Sequence, residues 1–188
     1  NAVRQVRQPV YSVYTQSSVG VSTAGFPNMD TSRFEVPASG LVSTFNGGYY
    51  QTFDNGFGIF IWDQPPVNGG TDTRFNIVEP IYSRWKATGF EQIGPPLVSA
   101  ISATSRFLTK ATYQTYTNGA IYNITSGTLA GRIFFVRRSV QDLYEANLGP
   151  SGFLGFPVGD EIILADGRRR QSFEGGTMEY AINGIPVL

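Results

Sequence analysis

The 188-residue chain contains neither cysteine nor histidine. Without cysteine there are no disulfides, zinc thiolates, iron–sulfur clusters or thiol nucleophiles. Without histidine there is no imidazole ligand or general base, and every Ser-His or Cys-His relay is closed. Charge is scarce too: charged residues make up 15 %, with 14 basic and 14 acidic side chains and a formal net charge of zero. An ordinary soluble domain carries about 25 %. A balanced chain has no basic surplus to displace counterions from nucleic acid or an anionic membrane, so neither is expected as a partner. No apolar run approaches the roughly 20 residues of a transmembrane helix, so no membrane span is expected. The chain opens at Asn1 with no charged stretch leading into an apolar one, the start expected of a processed or excised secreted module.

What is plentiful points to β structure. Aromatics reach 14 %, with 10 Tyr, 14 Phe and 2 Trp, and there are 22 Gly and 11 Pro. Such a composition makes many strands and many turns, kept soluble by Ser, Thr, Asn and Gln. The length favours one domain over 1–188, large enough to bury about 70 % of the surface of the unfolded chain.

Three anchors recur in the same order. Pro9-Val10-Tyr11-Ser12-Val13-Tyr14 returns as Pro80-Ile81-Tyr82-Ser83-Arg84-Trp85, and more loosely as Ser139-Val140-Gln141-Asp142-Leu143-Tyr144. Gly25-Phe26-Pro27 returns as Gly94-Pro95-Pro96 and Gly155-Phe156-Pro157. Gln51-Thr52-Phe53 returns as Gln114-Thr115-Tyr116 and Gln171-Ser172-Phe173, each before an Asn-Gly or Gly-Gly turn. Three units follow, over approximately 1–70, 71–131 and 132–188. Length varies between the second and third anchors: Pro27 to Gln51 spans 24 residues, Pro96 to Gln114 spans 18 and Pro157 to Gln171 spans 14. That segment reads as a loop.

Each unit reads as a short helix, a turn and a hairpin. Ile81 and Trp85 share a helical face, and Gly89 sits at the expected C′ position. Ser139 is placed to cap the third helix, whose stripe is Val140, Leu143, Tyr144 and Leu148. Return strands are expected at Phe57–Trp62, Ala120–Ile124 and Thr177–Ile182. Pre-helix strands are expected at Phe75–Val78 and Arg132–Val136. Ala2–Val6 and Ile185–Leu188 take the same place at the two ends. Pairing of those ends would close, or nearly close, a pseudo-threefold ring; the alternative is an open array.

The third unit runs Leu154-Gly155-Phe156-Pro157, then Asp160-Glu161, Asp166-Gly167, Gln171-Ser172-Phe173 and Gly175-Gly176, ending in Met178-Glu179-Tyr180. It closely resembles the LGFP repeat. The second unit is similar as a degenerate copy, and the first keeps Gly25-Phe26-Pro27 and Gln51-Thr52-Phe53. The resemblance implies a β-rich α+β fold and a secreted bacterial module at the cell envelope. It implies attachment to wall polysaccharide, often as part of a larger protein, with no active site of its own.

Among candidate contacts, Gln51, Gln114 and Gln171 either satisfy turn backbone or touch a ligand. Phe53, Tyr116 and Phe173 are assigned to core, on the face opposite the glutamines. Tyr49, Tyr50, Phe57, Phe60 and Trp62 cluster near Asn46, Asp54, Asn55, Asp63 and Gln64. Flat apolar rings beside amides and carboxylates suit a sugar, which has apolar C–H faces and hydroxyl edges. Trp62, Phe60, Tyr49, Tyr50 and Asn55 are therefore candidate binding residues, with core packing as the competing role. Asp160 and Glu161 are adjacent and point apart on a strand, so they make a poor glycosidase pair. They and Asp166 lack a known calcium spacing, and no metal or cofactor is expected. Arg168-Arg169-Arg170 reads as a solvated hairpin edge, or as a contact to acidic polymer. The expected function is non-catalytic glycan binding or anchoring outside the cell. A structural or protein-interaction module is the alternative, and a carboxylate-dependent hydrolase is a third class.

Overall fold

The computed structural model describes residues 4–16, 20–29, 31–36, 46–66 and 73–181. The chain divides into two compact units, one of Asn1–Ala87 with Pro95–Ser99 and one of Thr88–Gly94 with Ala100–Leu188. In the first, helix α1 (Val10–Tyr14) and one π turn (Gly20–Ala24) precede four strands. These are β1 (Ser32–Val36), β2 (Asn46–Phe53), β3 (Phe57–Trp62) and β4 (Arg74–Val78), paired antiparallel in that order. Most of helix α2 (Ile81–Thr88) belongs to this unit, and it ends just before Gly89, whose φ is +99°.

The second unit begins with the one-turn helix α3 (Phe90–Ile93). A second antiparallel sheet follows, from β5 (Ile101–Thr104), β6 (Lys110–Tyr116), β7 (Gly119–Ile124) and β8 (Ile133–Arg137). Helix α4 (Arg138–Ala146) and a 3₁₀ turn (Gly149–Ser151) lead to a three-stranded sheet. Its strands are β9 (Ile162–Ile163), β10 (Arg169–Phe173) and β11 (Gly176–Tyr180), ordered β11-β10-β9. The protein is β-rich with a few short helices. Among the described residues all three sheets are open, and none closes into a ring or barrel.

The segment of variable length is not merely a loop. In each case it supplies an edge strand, of 5 residues in β1, 4 in β5 and 2 in β9. The hairpin therefore gains a third strand, which a pattern search built on anchors does not register. Ser139 lies inside α4 and does not cap it; the flanking residue is Arg137, whose side chain makes no cap bond. Residues 4–7 form no strand, and Ala2, Val3 and Ile185–Leu188 lie outside the described residues.

One constellation recurs around the first and the last of the three helix–turn–hairpin stretches. Tyr14 of α1 donates its hydroxyl to the Gly25 carbonyl and stacks on Phe53 at 5.0 Å. Tyr144 of α4 donates to the Gly155 carbonyl and stacks on Phe173 at 4.9 Å. Gly25 and Gly155 have φ of +82° and +67°, a conformation glycine adopts without a Cβ penalty. Pro27 bridges Phe53 as Pro157 bridges Phe173. The Asn55, Asn118 and Gly175 amides reach back to the carbonyls of Ala24, Ile93 and Leu154.

The three glutamines share a register, opposite Ile59, Ile121 and Met178. Each is fully buried, as are Phe53 and Tyr116, and Phe173 is buried. The expectation that these aromatics lie opposite the glutamines is corrected here: residues two apart share a face. Tyr116 shows it directly, donating its hydroxyl to Gln114 Oε1 at 2.9 Å.

The partners of the glutamines differ. Thr31 donates to Gln51 Oε1 and Tyr116 to Gln114 Oε1. Phe173 has no hydroxyl to offer, and Gln171 Oε1 is buried without a partner. An unmet buried acceptor costs about 1–3 kcal/mol. Phe173→Tyr restores the hydroxyl seen at Tyr116 and should raise stability by about 1 kcal/mol in chemical denaturation, whereas a hydroxyl added to a fully apolar site would lower it.

Burial also raises the phenol pKa of Tyr116, Tyr122 and Tyr144 far above the ordinary range, with repulsion from Tyr144 adding to it at Tyr122 and from Tyr113, Glu174 and Glu145 at Tyr144. These groups ionise more readily in the unfolded chain, so the stability they confer is intact below about pH 10 and is lost as pH rises. Three of the 10 tyrosines should therefore ionise only together with loss of structure, when absorbance at 295 nm and circular dichroism are followed side by side.

Candidate functional site

The expected aromatic platform sits on β2 and β3. Strand β3 is buried along its whole length, because both faces of its sheet are covered. Phe57, Ile59 and Ile61 pack with Val10 and Val13 of α1. Phe60, on the other face, stacks on Tyr50 at 5.3 Å and meets Trp85 of α2 edge-on at 5.4 Å. Trp62 is 2 % exposed and donates its indole N–H to the Pro96 carbonyl at 2.8 Å. Neither Phe60 nor Trp62 has a free ring face.

The other candidates separate from one another. Gln51 is held by Thr31 and by the Met29 carbonyl, and Gln171 donates to the Gly159 carbonyl. With Gln114 they are interior groups. Tyr49 is half-buried under the Arg33 guanidinium, which Asp63 holds at 2.7 Å. Tyr50 is half-buried on Phe60. Asn55 is exposed and donates to the Thr23 carbonyl. The aromatic cluster expected from sequence is thus mainly a core, and of the candidate binding residues on β2, β3 and their turn Tyr49, Tyr50 and Asn55 reach the surface.

The acidic side chains of the third sheet and its approach are committed to structure. Asp160 accepts the Phe135 amide, and the Glu161 carboxylate, 8 % exposed, is bound by Arg137, Arg169 and the Tyr180 hydroxyl. Glu174 accepts the Phe156 amide. Arg168 pairs with Asp166 and Glu179, and Arg170 with Glu179. Hydrogen bonding from Arg168 holds the exposed Asp166 carboxyl below its usual range. Among the described residues no group of three acidic side chains is arranged to hold a metal ion.

A surface that sequence reading missed lies on the edge hairpin of the second sheet. Ser102, Ala103 and Thr104 of β5, Lys110 and Ala111 of β6, and Thr125 line a groove of about 390 Å³. Its walls carry hydroxyls and one ammonium. The turn joining the two strands is closed by the Ser105 amide on the Thr109 carbonyl and by the Leu108 amide on the Ser105 carbonyl. The Phe107 amide bonds Ser105 Oγ, and the Arg106 amide bonds the Pro150 carbonyl. That clamp holds Phe107 against two glycines: a Cβ at Gly155 would come within 2.6 Å of its ring, and one at Gly175 within 3.0 Å.

Phe107 is nonetheless 46 % exposed, with Phe153 at 44 % nearby on the same glycine-lined backbone. The Arg106 guanidinium lies 5.8 Å from the Phe107 ring centre. Leu108 and Leu148, highly exposed, both hold positive φ, of 66° and 69°. A leucine seldom tolerates that region, and such strain concentrates at interaction sites. The available signal was Arg106-Phe107-Leu108, an aromatic in the segment whose length varies.

No protein-family model matches the chain, and no curated protein matches it. The chemistry of the groove and its ring is the basis on which function is assigned.

If Trp62 is core, Trp62→Ala should cost about 3–5 kcal/mol of stability in a denaturant melt. Retention on polysaccharide, scaled to the folded fraction, should not change. A stable variant that has lost retention would return Trp62 to the binding surface.

Proposed function

We propose that this chain is a non-catalytic, secreted module that binds or anchors to cell-envelope glycan. One observation carries the proposal: the β5–β6 hairpin has a hydroxyl-lined groove along its strands and, in the turn that joins them, Phe107 half-exposed against bare glycine backbone. A sugar ring presents an apolar C–H face to such a ring and hydroxyls to such walls, and shallow sites of a few hundred Å³ take one or two residues of a glycan. Engagement of Asp160, Glu161, Glu174 and Glu179 in structural bonds favours binding over hydrolysis.

The three stretches are proposed as copies of one LGFP-like unit, supported by the glutamine register shared by all three and by the tyrosine–glycine bond shared by the first and third. Of the two expected arrangements, a closed ring and an open array, the open array fits this proposal better, because residues 4–7 form no strand and the third sheet carries an Arg170–Glu179 ion pair on its outer face. A place within a larger envelope protein belongs to the same proposal. A protein-interaction module is the competing function, favoured by the exposed Ile162 and Ile163 on edge strand β9.

Sedimentation of the purified chain with insoluble peptidoglycan, beside cellulose and chitin, tests the proposal. Phe107→Ala should weaken retention by about 1–3 kcal/mol, by analogy with base stacking, and leave the melting curve nearly unchanged. Equal retention of wild type and a Phe107→Ala, Lys110→Ala double variant would rule out this site; no retention of wild type on any polysaccharide would rule out the function.

A further inference from the structure

The two covered sheets share a mode of cover that leaves one matching face bare. In the first unit the ring pair Tyr50–Phe60 on the outer sheet face receives Trp85 of α2, and Tyr82 beside it is 4 % exposed. In the second unit the ring pair Tyr113–Tyr122, stacked at 5.0 Å, receives Tyr144 of α4 and Phe156. Gln141, one turn before Tyr144, is fully buried there and exchanges hydrogen bonds with the Tyr122 hydroxyl. A sheet with a ring pair is thus met by the helix that follows it, and in the second unit also by Phe156, the residue after a positive-φ glycine.

Among the described residues, the same helix and turn at the start of the chain meet nothing of the kind. By the shared Tyr14–Gly25 and Tyr144–Gly155 bonds, Tyr11 stands where Gln141 stands and Phe26 where Phe156 stands. Tyr11 is 49 % exposed and Phe26 is 65 % exposed, against 0 % and 1 % for their counterparts. The third sheet shows the opposite end of the pattern. Its outer face carries Arg170, Ser172, Thr177 and Glu179, with an Arg170–Glu179 ion pair in place of the two rings. That polar face is what a terminal unit presents to water.

We propose that the Tyr11–Phe26 face is a docking surface for one further β-sheet of the same build, whose outer face bears a stacked aromatic pair. Two covered faces of this chain show what fits. A second copy of the chain is a poor partner, because its own ring pairs are already covered and its third sheet offers an ion pair. Burying a phenylalanine and a tyrosine against rings supplies the association energy, and a polar sheet would leave both rings facing charge.

The full chain supplies its own probe. Arg170→Tyr with Glu179→Tyr rebuilds the Tyr113–Tyr122 pair on the third sheet, and Arg170→Tyr with Glu179→Phe rebuilds the Tyr50–Phe60 pair should the first version misfold. In sedimentation velocity up to about 100 μM, a range suited to a weak interface, wild type should remain monomeric. The folded double variant should associate with rising concentration, and Phe26→Asp in that background should return it to monomer. A folded double variant that stays monomeric would overturn the proposal, as would association that survives Phe26→Asp. Wild-type self-association abolished by Phe26→Asp would overturn the choice of partner, assigning the face to a second copy.

Discussion

A tyrosine hydroxyl bonded to the carbonyl of a left-handed glycine is the interaction on which the rest is built. Tyr14 to Gly25 and Tyr144 to Gly155 each tie a short helix to a turn, while the same ring stacks on the hairpin aromatic two residues after a buried glutamine. One side chain thereby joins three segments remote in sequence. A helix of five residues, as α1 is, has no stability alone, because nucleation costs more than so few backbone bonds return. It persists only because the tyrosine and its apolar neighbours are anchored to a sheet. The glycine is required at that bend, since φ near +70° places a Cβ where Glu174 and Phe107 lie at Gly155.

Covering sheets on both faces changes the meaning of an aromatic cluster. Tyr49, Tyr50, Phe60 and Trp62 have the composition of a sugar platform, and so does any strand buried on both sides. Alternation separates the faces of a strand but does not say whether each is wet. In β3 neither is. The exposed ring occurs instead on a turn clamped by backbone bonds, where Phe107 spreads over glycines. Loops on a rigid scaffold are the usual place for contact residues, because their side chains are not needed for the core.

Polar groups inside these cores are few, and most are matched. Tyr122 and Gln141 exchange bonds, and Gln141 also reaches Glu145. Glu161 is enclosed by two arginines and a tyrosine. Networks of this kind select one arrangement, since any shift leaves a buried group unmet. Tyr82 and Gln171 are exceptions: the Gln171 oxygen has neither the tyrosine hydroxyl that meets Gln114 nor the threonine hydroxyl that meets Gln51.

From the sequence alone came the exclusions that follow from absent cysteine and histidine, the β-rich class, the positions of the hairpins and the helix ending at Gly89. Those depend on local chemistry: turn glycines, period-two alternation and residue inventory are all written along the chain. The anchor glutamines could be placed on strands for the same reason, but their face could not be told from their spacing without knowing which neighbours enclosed them. The edge strands β1, β5 and β9 were invisible because edge pairing is made by backbone, and backbone has no sequence signature. Whether Phe26 and Phe156, alike in motif, end up in water or in a core was decided by tertiary structure alone. The difference is what lies in front of each: a sheet with a ring pair covers Phe156, and none covers Phe26.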